Sequence, residues 1–195
     1  FLLSFGLFGN AKIIPGLIAI GSFAAPIAVL VFFFEMNTPR NVSASKLVLF
    51  LMVGGSASLF ISLTLFAFAP LLTSMFGASA AGIVEECGKL AAVIATMSLI
   101  AKDRYPYRLN AMLFGAAVGT GFSAFESAGY AFEALISEDL RRGEGVVPML
   151  ATIFFRGLLA AFSHTIWTAI AAAAYWSARQ ENVDLMSTLR SKKFL

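Results

Sequence analysis

Apolar residues run through this chain in long unbroken blocks. There is no two-residue alternation of a half-buried strand and no one-sided stripe of a surface helix. Five blocks are long enough to cross a bilayer, for which ~20 residues suffice. They cover 13–34, 47–72, 79–101, 109–136 and a stretch within 147–176. As one helix the last would be ~45 Å long, against a ~30 Å hydrocarbon core. The pattern therefore predicts an interfacial piece first and a span over 153–176. Residues 1–9 are apolar but too short to span, and no signal peptide is recognisable there. The predicted fold is all-α: one polytopic transmembrane helical bundle over 1–195, with no soluble domain and no internal repeat.

Composition strengthens that reading. Of 195 residues, 59% are hydrophobic and 13% charged, and the mean hydropathy is +0.84. The charged share is about half that of a soluble domain. A disordered chain, a nucleic-acid-binding tail and an ordinary soluble enzyme are excluded. The net charge of +3 is small and dispersed, so no nucleic-acid partner is expected. One cysteine excludes an internal disulfide, and one histidine excludes a cage of several histidines.

Basic residues set the orientation. Arg40, Lys46, Lys102, Arg104, Arg108, Arg179, Arg190, Lys192 and Lys193 fall on one side, and Lys12, Arg141 and Arg142 on the other. The positive-inside rule then places the 102–108 loop and the C-terminal tail in the cytoplasm. The chain start and the polar 137–146 loop lie outside.

Six ionisable residues interrupt the last three blocks. They are Glu85, Glu86 and Lys89 in the third, Glu126 in the fourth, and Arg156 and His164 in the fifth. Each costs ~2.5–3.5 kcal/mol at a helix centre. They are expected to converge on a shared wet cavity. Counted down from the outer ends, Glu86 lies ~10 Å deep, Glu126 ~15 Å and His164 ~16 Å, the last on a span starting at 153. They can meet in the outer half of the bilayer.

Glu85 and Lys89 have the favourable i, i+4 order. Glu85 is therefore expected to pair with Lys89, leaving Glu86 to face the cavity as the favoured base. A purely structural ion pair is the competing reading. Glu126 shares a face with Tyr130, and His164 with Thr168. Gly115 and Gly119 form a small-xxx-small pattern, expected to bring the third and fourth spans close. Cys87 reads as a packing residue.

Two carboxylates and an imidazole in a wet cavity suit hydrolysis. Desolvation strengthens a carboxylate as a base towards water. His164, Arg156 or the Thr168 hydroxyl could stabilise an oxyanion. Alternatively Glu86, Glu126 and His164 could hold a divalent metal such as zinc that activates the water. Other classes compete. Glutamates, a lysine and a histidine also suit a proton relay in a transporter or channel, or the remnant of a non-catalytic binding protein.

Glu85, Glu86 and Lys89 in the spacing EExxK resemble the first motif of the PrsW family of intramembrane proteases. The glycine-rich run from Gly115 to Gly121, continuing into Phe122 and Glu126, resembles its second motif, FxxxE. Arg156, His164 and Trp167 are similar to its third. The resemblance covers about 80–176. It implies a helical protease of the CAAX-protease-like superfamily in a prokaryotic cell membrane. Glu85 or Glu86 would be the main catalytic residue and Glu126 and His164 its partners. Substrates would be membrane-anchored proteins of the anti-sigma-factor kind, cut on the outer side. Ser127 stands where the family often has Asn, and Asn110 lies where it often has Asp. A further helix with another histidine is expected beyond 195.

Overall fold

The computed structural model describes residues 2–68, 70–77, 79–101, 105–137, 144–180, 185–191 and 194. Among these the fold is helical, with no strand. Helix α1 (Leu2–Phe8) and one 3-10 turn lead into α2 (Ile14–Met36). Helix α3 (Ala44–Leu49) passes through a π turn (Phe50–Gly54) into α4 (Gly55–Phe68). Ser43 caps α3, its hydroxyl accepting from the Lys46 amide at 3.3 Å. Pro70 opens α5 (Pro70–Phe76), where its missing N–H costs nothing. Then come α6 (Ser79–Thr96), prolonged by a π turn (Met97–Ala101), α7 (Arg108–Ile136), α8 (Val146–Arg179) and α9 (Leu185–Leu189).

Among the described residues, three segments are long and apolar enough to cross a membrane: Ala11–Met36, Ala44–Phe68 and Val146–Arg179. Helices α6 and α7 were also expected to span. Charged, polar and glycine residues dilute their hydropathy. Of the residues used for orientation, Lys102, Arg104, Arg141, Arg142, Lys192 and Lys193 lie outside the described residues, as does 138–143 of the outer loop. The expected interfacial piece before Ile153 and the span after it belong to one continuous helix from Val146. Pro148 sits in its first turn, where an interior hydrogen bond is not lost.

Helix α7 is the hub. From Asn110 to Ala124 it is buried except at Met112, enclosed by α2, α4 and α8. Lipid offers little hydrophobic drive for helix association, so close packing and polar contacts must hold the bundle. Small residues provide the first. A Cβ on Gly119 would overlap the His164 carbonyl and lie 3.0 Å from Thr165 Cα. A Cβ on Gly55 would lie 2.6 Å from Gly121 Cα. Gly115 likewise faces Ala172 and Ala169. The glycine pair therefore draws α7 to α8, not to α6 as its position in the sequence had suggested. Polar contacts close the end of the bundle where α7 begins. Asn110 Nδ2 donates to Asn41 Oδ1 at 2.7 Å, and Trp176 Nε1 donates to the Pro106 carbonyl at 3.2 Å.

Candidate active site

Helices α6, α7 and α8 bring three groups together. One ligand atom from each of Glu85, Glu126 and His164 lies within 4.8 Å of the others. The directions of the side chains explain the meeting. A helical Cβ leans towards the helix N-terminus. Helices α7 and α8 are antiparallel, so Glu126 leans towards the Arg108 end of α7 and His164 towards the Val146 end of α8. The His164 backbone faces Gly119, two turns below Glu126, and the two side chains close the gap. His164 Nε2 is 3.3 Å from Glu126 Oε2. This is why a helix starting at Val146 still delivers His164 to the cluster. The meeting level is Phe122, whose ring lies 5.1 Å from the His164 ring. Phe122 is ~21 Å by helical rise from either end of α7. The cluster thus lies near the middle of α7.

Glu85 and Glu86 exchange the places expected of them. Lys89 Nζ donates to Glu86 Oε1 at 2.5 Å, and the Glu86 side chain is 41% exposed. Glu85 is the one that faces Glu126 and His164. Glu86, expected at the metal with Glu126 and His164, is outside that group. Both i, i+3 and i, i+4 neighbours are within reach on a helix. The choice falls to tertiary packing: the buried Lys89 turns towards α8 and takes Glu86 with it.

Lys89 does more than pair with Glu86. Its side chain is fully buried, with Nζ 2.7 Å from His164 Nδ1 and 4.5 Å from the Phe122 ring centre. Donation from Lys89 to Nδ1 would leave the imidazole hydrogen on Nε2, facing Glu126; the opposite tautomer would donate from Nδ1 to the lysine amine and free Nε2.

Arg156 anchors the other side of Glu126. Its guanidinium donates to Glu126 Oε2, and Nε donates to Ser127 Oγ at 3.1 Å. Tyr130 stacks on it at 4.4 Å. Ser127, which departs from the family pattern, thus still makes a local hydrogen bond. Thr168 does not join the site. Its hydroxyl donates to the His164 carbonyl at 2.7 Å, back along its own helix. Trp167 points outward, 62% exposed. Phe122 and Tyr130 carry contacts that spacing alone did not assign, although the Glu126–Tyr130 shared face was the available signal.

A cavity of about 490 Å³ opens between α4, α6 and α7, with Glu85 and Glu126 in its wall. Ser62, Phe125, Tyr130 and Glu133 also line it. A second space of about 370 Å³ continues past Tyr130 and Glu133 to Arg156 and Thr152. Both lead from the middle of α7 towards its C-terminal end.

Open hydrolytic zinc sites use three protein ligands, with imidazole nitrogen and carboxylate oxygen among the donor types, and keep one position free. Glu85, Glu126 and His164 fit such an ion by donor type, number and mutual reach. Binding through Nε2 would need the imidazole hydrogen on Nδ1, with the Lys89 amine as its acceptor.

Comparison with known proteins bears on the identity of this site. No curated protein and no solved structure matches the chain. The family model described as PrsW family intramembrane metalloprotease matches residues 18–191, which include all six ionisable residues above. The chain belongs to the PrsW family of intramembrane metalloproteases.

Proposed function

We propose that this chain spans the membrane five times and hydrolyses peptide bonds of membrane-anchored proteins, reached from the outer side. The convergence of Glu85, Glu126 and His164 on one cavity wall carries the reading. Glu85 acts as general base: it has no basic partner as close as Lys89 is to Glu86, and it faces the cavity. It takes a proton from water as the water oxygen attacks the carbonyl carbon. The C–N bond then breaks, and the same proton passes to the leaving nitrogen. Glu126, held by Arg156, and His164, held by Lys89, fix the other two sides of the water site. In the alternative arrangement a divalent metal such as zinc, held by Glu85, Glu126 and His164, would supply a Lewis acid that acidifies water, and Glu85 would then be a ligand rather than the base. The cavity leads outward past Tyr130 and Glu133, which favours entry from the outer face. By family resemblance the substrates are of the anti-sigma-factor kind, in a prokaryotic cell membrane, with the basic loops cytoplasmic.

The test compares membrane-protein fragments in cells carrying wild type or Glu85→Gln at equal folded level. Extracytoplasmic fragments present only with the wild type are the expected result. Identical fragment profiles would remove the protease reading of this site and favour a proton-relay or binding role.

A further inference from the structure

We propose that Glu133 selects substrates carrying a lysine or arginine about three residues from the bond that is cut. The assignment rests on the protease reading above and names the class of sequence that the same site accepts.

Glu85, Glu126 and Glu133 all stand in the wall of the larger cavity. The first two are committed to the reaction. Glu85 faces Glu126 and His164, and Glu126 is held by Arg156. Glu133 is different. It is exposed, and its carboxylate meets no cation and no hydrogen-bond donor among the described residues. It also lines the second space beyond Tyr130, so it stands where the two cavities meet.

This position works against a structural role. Glu133 lies in the last turn of α7, which ends at Ile136. The C-terminal end of a helix carries partial negative charge, so an acid is disfavoured there. A residue serving helix stability at that point would be basic.

The position does fit a substrate. Glu126, Tyr130 and Glu133 follow one face of α7, at spacings of four and then three residues. Glu133 is thus ~10 Å beyond Glu126 by helical rise. An extended peptide covers that distance in about three residues, at ~3.3 Å each. A peptide bond held between Glu85 and Glu126 therefore brings a nearby side chain of the same strand to Glu133. Leu63, Phe66, Phe125 and Tyr130 share the wall and suit the apolar stem of a lysine or arginine. The cationic head then meets a carboxylate with no cation of its own. The cations of the site are engaged elsewhere. Arg156 is bonded to Glu126 and Ser127 under the Tyr130 ring, and Lys89 lies against Glu86 and His164. An acidic substrate residue at the same point would face like charge and be rejected.

The test uses the purified chain in zwitterionic liposomes. The probe is a synthetic single-span peptide carrying the cleaved segment found in the fragment comparison. Lysine, glutamine or glutamate is placed in turn at the second, third and fourth residue on either side of the cut. At one of these positions wild type is expected to prefer lysine to glutamate about tenfold in kcat/KM, mostly through KM, as for a charge at a binding rim. Glu133→Gln should cut that preference to about twofold or less, and Glu133→Lys should reverse it. The glutamine peptide should be cleaved within about threefold of the wild-type rate by both variants, since it offers no charge to pair. Melting of Glu133→Gln should be unchanged or higher, because an acid has left a helix C-terminus. Glu35→Gln is the control for overall charge. It removes an exposed acid at the end of α2, outside both cavities, and should leave the preference intact.

A wild type indifferent to charge at every position overturns the proposal. So does a preference that survives in Glu133→Gln, or one lost equally in Glu35→Gln. An equal slowing of all three peptides by Glu133→Gln overturns it too, since that is what a structural role gives. Glu85→Gln is run alongside. If it is inactive while Glu133→Gln keeps the preference, only this assignment fails. If Glu85→Gln cleaves normally, the reaction-centre reading fails and the Glu133 assignment falls with it.

Discussion

Gly119→Ala tests whether the contact of α7 with α8 builds the site. The added Cβ would overlap the His164 carbonyl oxygen and lie 2.9 Å from Thr168 Oγ1 and 3.0 Å from Thr165 Cα. Comfortable carbon contacts need ~3.5–4.0 Å. Two of the obstacles are backbone atoms, so no rotamer change relieves them. The helices must separate locally by roughly 1 Å, judged against that contact distance. Overpacking of this kind costs ~1–3 kcal/mol. Better helix propensity returns up to ~1 kcal/mol. The net loss of stability is therefore modest, ~0–2 kcal/mol. Activity should suffer far more, because the separation falls at the residue that carries the imidazole. A misplacement of ~1 Å can cost ~100-fold in rate. The assay is cleavage by purified protein in liposomes, with thermal melting in parallel. Gly82→Ala is the control, since a Cβ there meets nothing within 4 Å. Wild-type cleavage by Gly119→Ala, or an equal loss in Gly82→Ala, would refute the reasoning.

Other perturbations separate the parts of the site. Arg156→Met leaves the Glu126 carboxylate, 12% exposed, without its main cation. Removing one partner of a buried pair costs ~3–5 kcal/mol, so melting should drop sharply and recover in part in the Arg156→Met, Glu126→Gln double variant. Lys89→Met leaves Glu86 partly solvated, so stability should change by less than ~1 kcal/mol. Loss of the hydrogen bond to His164 Nδ1 should still slow kcat at least ~10-fold. Zinc loading followed by elemental analysis should find about one ion per wild-type chain and almost none in His164→Ala. Equal zinc in both would remove His164 from the metal.

The all-helical fold was legible because apolar blocks of spanning length leave few alternatives. The convergence of Glu126, Arg156 and His164 was legible because ionisable groups in hydrocarbon need partners. Finer points were not. Nothing local distinguishes Glu85–Lys89 from Glu86–Lys89, since both spacings face one another on a helix. The contact of Lys89 with His164, 75 residues away in sequence, settles the geometry. A count of Cα rise alone also leaves open how Glu126 and His164 meet; the opposed lean of the two side chains covers about two turns. The partner of Gly115 and Gly119 was likewise invisible, because small residues say that something comes close without saying what.

The central claim is that Glu85, not Glu86, works with Glu126 and His164. Cleavage rates of purified Glu85→Gln and Glu86→Gln, measured side by side at equal folded level, test it directly. Loss of a general base costs ~100- to 10,000-fold. The account predicts a loss on that scale for Glu85→Gln and a rate within about tenfold of wild type for Glu86→Gln, whose carboxylate meets Lys89 at the edge of the site. An inactive Glu86→Gln beside an active Glu85→Gln would contradict it.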